Sequence, residues 1–261
     1  MMQAVDFSSV LVVAVMAGAL LLVAGLAKAL HGRLVQMGIE EAAGAIEGLV
    51  GLLADPAPHD ITLVDAGHHS DDARAFVTDI TAAAAAVGYT TLGDLEDRTI
   101  TRTMPEARTA MRALLSDDGA IVVAAWGRPA QPTTPPLRLL ELSSELADGR
   151  FVETVVAPDL PSLDVGPWIL IERHAPGTPL PSLLQRHRAR LAELGGTVVT
   201  VSDVDGVIQH SHRRVARAAA FRQTIPALVT RAELHGMAGA EPDIVDRVHA
   251  LLVKRHGERR A

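Results

Sequence analysis

Two pairs of β-prone segments, each joined by a short turn, decide the fold: MRALLSDDGAIVVAAW at residues 111–126 and RLLELSSELADGRFVETVV at residues 138–156. Residues 116–119 separate the two arms of the first pair, and residues 147–149 separate those of the second. Asp-Gly between such runs favours positive-φ turns. The segments therefore predict two β-hairpins, although the first arm of the first hairpin could instead be helical.

Further strand and helix signals surround the hairpins. Residues 61–64 and 89–95 are predicted to be short strands that could extend the sheet, and 168–171 is an apolar piece between proline-rich passages. Helical patterns cover 35–54, 70–87, 179–194 and 204–222, and a capping box at Thr230 and Glu233 begins a last helix pair. Trp126 and Trp168 are most simply core. These signals predict an α+β fold with an antiparallel sheet of about four strands and flanking helices.

An uncharged apolar run, FSSVLVVAVMAGALLLVAGLA, occupies residues 7–27. As a helix it would be roughly 31 Å long, which matches a hydrocarbon core of about 30 Å. The run therefore predicts an N-terminal transmembrane helix, with the lipid bilayer as partner. A cleaved signal peptide is an alternative, but residues 1–6 lack Lys and Arg and the run is long for one. A buried core helix is a third possibility.

The charges that flank this run predict its orientation. Lys28 and Arg33 follow it and only Asp6 precedes it, so the N-terminus is expected outside and the domain in the cytoplasm. We expect a single-pass protein of the bacterial cytoplasmic (inner) membrane. The predicted organisation is an anchor at 1–30, an amphipathic helix and proline spacer at 31–58, a soluble domain at 59–253 and a basic tail at 254–261. Disorder is expected in that tail.

Charge is divided unevenly along the chain. Residues 31–185 contain 10 Lys and Arg against 22 Asp and Glu, whereas residues 186–261 contain 13 against 8. The simpler interpretation is that the acidic and basic parts pack together, and the alternative is that the basic end meets anionic lipid or nucleic acid. There is no cysteine, which excludes disulfides and thiolate sites and fits a reducing compartment.

One histidine and carboxylate cluster lies between a predicted strand and a predicted helix, in the stretch DAGHHSDD at residues 65–72. Imidazole and carboxylate groups together can bind Zn²⁺ or a similar divalent cation. The candidate ligands are His68, His69, Asp65 and Asp72. The alternative is that the acids stabilise the helix start while the histidines are solvated.

A basic cluster follows His210 and His212 on the predicted helix at 204–222. Arg213, Arg214 and Arg217 form a candidate basic surface for anionic lipid or nucleic acid. Aromatic residues are not interleaved with these arginines, so nucleic-acid binding is only weakly supported. A solvated helix face is the simpler interpretation.

Turn residues carry a resemblance over about residues 85–160. They are Gly88 and Tyr89 with Leu92-Gly93-Asp94, then Ser116-Asp117-Asp118-Gly119, Leu142-Ser143-Ser144, Ala147-Asp148-Gly149-Arg150 and Glu153-Thr154. This pattern resembles a loose group of uncharacterised bacterial single-pass membrane proteins. The resemblance implies no activity, catalytic residue or cofactor.

The familiar catalytic motifs are absent from the sequence: there is no phosphate loop, dinucleotide fingerprint, nucleophile elbow or HExxH zinc motif. This favours, without establishing, a non-enzymatic binding or assembly domain with no cofactor and with a protein partner. The alternative is a membrane-bound, metal-dependent hydrolase that uses the His68 and His69 cluster. The sequence does not indicate an oligomeric state.

Overall fold

A computed structural model describes residues 38–65, 67, 71–103, 110–128, 137–157, 163–238 and 241–260. The helices in chain order are α1 (Ile39–Leu53), α2 (Asp71–Ala85), α3 (Arg98–Thr103), α4 (Leu180–Leu194), α5 (Val204–Arg222), a 3-10 turn (Pro226–Leu228), α6 (Arg231–Ala238) and α7 (Pro242–Arg260). The strands are β1 (Ile61–Val64), β2 (Tyr89–Asp97), β3 (Met111–Ser116), β4 (Val122–Arg128), β5 (Leu137–Leu146), β6 (Phe151–Val156), β7 (Ile169–His174) and β8 (Val198–Val199).

The strands form one mixed sheet. Strands β1 to β7 lie side by side in chain order, and β8 pairs with the end of β5. Every pair is antiparallel except β6 and β7, which are parallel with Phe151 opposite Ile169. Both predicted hairpins are confirmed, and the alternative helix at the start of the first is wrong, because β3 pairs with β2 and β4.

The predicted fold class therefore needs correction. The chain is α+β, but its sheet has eight strands and a parallel pair, not about four antiparallel strands. The reason is that β1, β2 and β7, which the sequence marks only as short apolar pieces, pair with strands from which a helix or a long loop separates them. A parallel neighbour also needs a crossover between the strands, which no local pattern announces.

The predicted class also included a membrane-spanning helix. Within the described part of the chain, no helix is both long enough and apolar enough to cross a bilayer. Residues 7–27, on which that prediction rested, lie outside the described residues, as does the rest of 1–37.

Helices cover both faces of the sheet. On one face α2 and α4 bury apolar side chains against the even-numbered residues of β5 and their neighbours, with Val77, Leu142 and Leu183 at the centre. On the opposite face α5 packs over β3 to β6 through Val207, and α1, α6 and α7 pack beside it over Phe151. All six residues of β6 are buried, because helices lie on both sides of that strand.

Local signals predict the helix ends well. Asp203 caps α5, since its Oδ1 accepts a hydrogen bond from Gly206 N at 2.8 Å. Thr230 and Glu233 form the predicted capping box, in which Glu233 N donates to Thr230 Oγ1 and Thr230 N donates back to Glu233 Oε2. Helix α7 continues to Arg260, so the expected disorder of the tail is wrong as far as that residue.

Ion pairs join the acidic first part of the chain to its basic last part. Arg188 pairs with Asp118 at 3.1 Å, and Arg255 pairs with Glu47 at 3.4 Å. A further pair, between Arg213 and Glu145, measures 2.7 Å. These contacts support the interpretation that the two parts complement each other within the fold.

Candidate functional site

The predicted metal cluster is only partly within the described residues. Asp65 is exposed just after β1, and Asp72 lies in the first turn of α2. His68 and His69 lie outside the described residues, so the metal prediction stays a prediction. Among the residues that are described, no group of three or more His, Asp or Glu side chains could hold a metal ion.

The three arginines of the candidate basic surface have three different environments. Arg214 is 1% exposed and points into the protein. Arg213 is exposed but pairs with Glu145, which is buried. Arg217 is exposed and has no carboxylate partner among the described residues. Of these three arginines, therefore, Arg217 alone is without a carboxylate partner among the described residues, because the other two are neutralised locally.

Arg217 stacks on an exposed tryptophan. Its guanidinium carbon lies 5.1 Å from the centroid of the Trp168 ring, a cation–π distance. Trp168 is 43% exposed, so the prediction that it is core is wrong, whereas Trp126 is core at 3%. Trp168 comes just before β7, and its carbonyl accepts a hydrogen bond from Phe151 N at 2.7 Å. This bond holds the backbone below the ring in place.

Two glycine turns lie next to side chains of α5 close to this stacked pair. Gly149 has φ +85° and lies against the Arg217 guanidinium, and Gly166 has φ +86° and lies against the Phe221 ring. Arg217 and Phe221 are one turn apart on α5 and so share a helix face. A Cβ at Gly166 would come within 2.5 Å of Phe221 Cγ, which leaves no room for a side chain there. We call Trp168, Arg217, Phe221 and the two glycines the Trp–Arg platform.

A second group of polar side chains is buried between α5 and the sheet. It comprises three glutamates of β5 and β6 and two residues of α5, together with the exposed Arg213 at its rim, and we call it the buried polar layer: Glu141, Glu145, Glu153, His210, Arg214 and Arg213. Glu141 and Glu145 are four residues apart on β5, and Glu153 pairs opposite Ser143 between them, so all three point to the same face. Because α5 covers that face, they are at most 7% exposed.

At the centre of this layer Arg214 binds Glu153 through two hydrogen bonds. Arg214 Nη2 donates to Glu153 Oε2 at 3.0 Å, and Arg214 Nε donates to the other oxygen. Glu141 lies beside this pair, and neither of its oxygens has a hydrogen-bond partner among the described residues. Burial raises the pKa of Glu141 well above its usual value, and the negative charge of Glu153 raises it further, while Arg214 opposes both effects.

A serine, a histidine and a glutamate meet in the same layer. A hydrogen bond of 2.9 Å joins Ser143 Oγ and His210 Nε2, and His210 Nδ1 lies 3.7 Å from Glu145 Oε2. This order of groups resembles a catalytic triad. However, Ser143 is 1% exposed in the middle of the sheet, between β4 and β6, where no substrate carbonyl could reach it. Burial also lowers the pKa of His210 to about 3, helped by Arg213 and Arg214, which makes it a weak base.

His187 of α4 occupies the equivalent position on the opposite face of the sheet. Its two ring nitrogens share hydrogen bonds with Ser144 Oγ at 3.0 Å and with Thr154 Oγ1 at 2.9 Å. Burial, reinforced by nearby arginines, lowers the pKa of His187 to about 4. Since both nitrogens are occupied, this histidine fixes α4 to the sheet and is not available for chemistry.

A third buried histidine connects β1, β2 and α5. His59 Nδ1 lies 2.5 Å from Asp97 Oδ2, and the other Asp97 oxygen accepts hydrogen bonds from the backbone N–H groups that begin α3. His212 Nε2 of α5 donates to the His59 carbonyl at 2.8 Å. His59 is 6% exposed. The contacts therefore anchor the segment before β1.

Sequence reasoning missed most of these groups. His210 was expected on a solvated face, but it is 2% exposed, because residues 207, 210, 211 and 214 form the buried stripe of α5. Glu141, Ser143 and Glu145 occupy alternate positions and so mark one face of β5. From the sequence alone, such a polar face is expected to meet solvent. Only a helix packed on that face makes these residues a buried layer.

No known protein family, curated protein sequence or solved structure was found to match this chain.

Proposed function

We propose that this chain is a non-catalytic binding domain, and that its Trp–Arg platform binds an acidic segment of a partner protein. The observation that carries the proposal is the exposed Arg217 guanidinium, which stacks on the exposed Trp168 and has no carboxylate partner in the described ranges. Tryptophan and arginine are among the residues that are enriched at the energetic centres of protein interfaces.

The platform is also held in place before binding. The guanidinium lies close to both the indole ring and the Gly149 turn, and both limit its movement. A cation that is already ordered loses little conformational entropy when it meets a carboxylate. Arginine can also bind a carboxylate through two parallel hydrogen bonds, which adds geometric selectivity.

The charges near the platform favour an acidic peptide over nucleic acid. Arg213 and Arg150 are each neutralised by a carboxylate, Glu145 and Asp148 respectively. One free cation can bind one carboxylate, whereas nucleic-acid binding draws on several phosphate contacts. Catalysis is also disfavoured, because the serine and histidine groups near α5 are buried.

The binding test uses Trp168 as its own reporter. The full chain with Trp126→Phe retains a single tryptophan, at the platform. We expect a hexaglutamate peptide to change the Trp168 fluorescence in a saturable and salt-sensitive manner, and a hexalysine peptide to have no effect. Arg217→Gln should weaken hexaglutamate binding about 30-fold, which corresponds to about 2 kcal/mol for an interface centre.

A matched control separates this charge from the others on the surface. Arg186 is an exposed arginine of α4 that pairs with Glu172, so Arg186→Gln should leave the titration unchanged. Duplex DNA, phosphatidylglycerol vesicles and inorganic phosphate are run in parallel. Equal hexaglutamate binding by Arg217→Gln and the parent would refute the proposal, as would tighter Arg217-dependent binding of DNA, vesicles or phosphate.

A further inference from the structure

The buried polar layer contains one more carboxyl group than its arginines can neutralise. Arg214 is engaged by both oxygens of Glu153, and Arg213 by both oxygens of Glu145. Glu141, which is 1% exposed, is left without a hydrogen-bond donor among the described residues. Burial and the two neighbouring arginines lower the pKa of His210 and keep it uncharged, so the layer is electrically balanced when Glu141 is neutral.

Apart from the residues of α5, the described elements around Glu141 place no buried cation beside it. On β4 its neighbour is Ala124 and on β6 it is Val155, so both adjacent strands present apolar residues. Arg173 of β7 pairs opposite Val155, one strand further from Glu141, and it is exposed at the edge of the sheet. Of the charged residues of α1, Glu40 and Glu41 are exposed and Glu47 pairs with Arg255. His210, Arg213 and Arg214 are the titratable groups that α5 contributes.

We propose that docking of α5 on the sheet requires the uptake of one proton, held by Glu141, so that the helix is released as the pH rises. An ionised carboxylate at this position would be buried without a partner, which is costly in an apolar environment. The cost is removed if α5 lifts and admits water. Protonation of Glu141 thus keeps α5 packed on the sheet.

The sign of the pH dependence follows from linkage. The folded chain holds the proton above the pH at which an unfolded glutamic acid releases it, near pH 4.3. The stabilisation by this proton is complete below that pH and is lost as the pH rises toward the folded pKa of Glu141. In that interval the folding equilibrium constant falls by up to tenfold per pH unit for one proton.

The first test observes the proton directly in the unaltered chain. Carbon-13 NMR of glutamate-labelled protein follows each side-chain carboxyl as a function of pH, and Glu141→Gln assigns its signal. We expect the Glu141 signal to titrate well above the other glutamates, together with faster amide exchange along α5. A Glu141 signal that titrates with the exposed glutamates would overturn the proposal, as would α5 exchange that is indifferent to this titration.

The second test compares stabilities. Urea unfolding from about pH 5 upward should show the wild-type folding constant falling relative to that of Glu141→Gln, by up to tenfold per pH unit. The ratio cancels the contribution of titrating groups that do not interact with Glu141. Glu172→Gln is the control, because Glu172 lies at the surface in an ion pair with Arg186. Parallel pH profiles of the folding constant for wild type and Glu141→Gln would contradict the proposal.

Discussion

The pair of Arg214 and Glu153 allows a sharp test of the buried polar layer by mutation. Both side chains are essentially inaccessible, at 1% and 0% exposed, so solvent does not screen them. Replacing Arg214 by Met leaves the Glu153 carboxylate buried without its cation. Removing one partner of such a pair costs about 3–5 kcal/mol. Against a total stability of about 5–15 kcal/mol, this loss endangers folding.

The reverse substitution should cost less, because Glu141 can take over. Glu153→Gln removes the carboxylate, but Glu141 lies beside the same guanidinium and interacts with its charge. Glu141 can release its proton and become the new partner of Arg214. We expect Glu153→Gln to cost about 1–2 kcal/mol, the contribution of a hydrogen bond to a charged group.

The double variant tests whether Glu141 is the reserve partner of Arg214. With both Glu141→Gln and Glu153→Gln, Arg214 has no carboxylate beside it, and the full cost of about 3–5 kcal/mol should return. Glu141→Gln alone should not destabilise the chain at neutral pH, because that residue has no hydrogen bond to lose in the described structure and its replacement removes the proton that folding takes up. The two substitutions should therefore be non-additive by at least about 1 kcal/mol.

Urea unfolding followed by circular dichroism at neutral pH measures all four stabilities. The control is the exposed pair of Arg102 and Asp60, where Arg102→Met should cost at most about 1 kcal/mol. The reasoning fails if Glu153→Gln is as damaging as Arg214→Met. It also fails if the double variant equals the sum of its parts, since Glu141 would then not be a reserve partner.

Three further perturbations test other parts of the structure. His187 has a depressed pKa, so the stability that its neutral ring contributes is complete above about pH 6.5 and is lost as the pH falls toward about 4. As the pH falls through this interval, the unfolding free energy of wild type should therefore fall more steeply than that of His187→Gln. The two slopes should differ by about 1.4 kcal/mol per pH unit, and identical slopes would contradict this. Gly166→Ala must move the Phe221 ring and place a Cβ at positive φ, so a loss of about 1–3 kcal/mol is expected in thermal unfolding, with Gly177→Ala as an uncrowded positive-φ control. Asp203→Ala removes the cap of α5 and should cost about 1 kcal/mol, whereas Asp203→Asn should retain most of that contribution.

Local chemistry explains the parts of the fold that the sequence predicts well. Helix α5 begins after the capping Asp203 and ends at Arg222, as its pattern predicts, because caps and helical periodicity are properties of neighbouring residues. Strand β1 and both hairpins follow for the same reason, since turn residues and alternation act over a few positions. These elements depend on interactions that are already present in a short peptide.

The candidate site was predictable only in part. Arg217 belonged to the basic cluster seen in the sequence, but its partner Trp168 was assigned to the core, since an aromatic residue beside an apolar strand is usually buried. Arg214, which is three residues away from Arg217 on the same helix, was grouped with it. The direction of each side chain depends on how α5 is rotated on the sheet, which no local pattern gives.

The sequence by itself determined the helix caps, the two hairpins, the alternation of faces along β5 and the complementary charges of the two parts of the chain. Tertiary structure alone decided that β7 pairs parallel to β6 and that α5 covers the polar face of β5. It also decided that, among the described residues, Glu141 has no hydrogen-bond partner and Arg217 no carboxylate partner. The physical reason is distance along the chain. Caps and turns depend on interactions between residues that are close in sequence. Burial and strand pairing depend on which elements from other parts of the chain pack against a given residue.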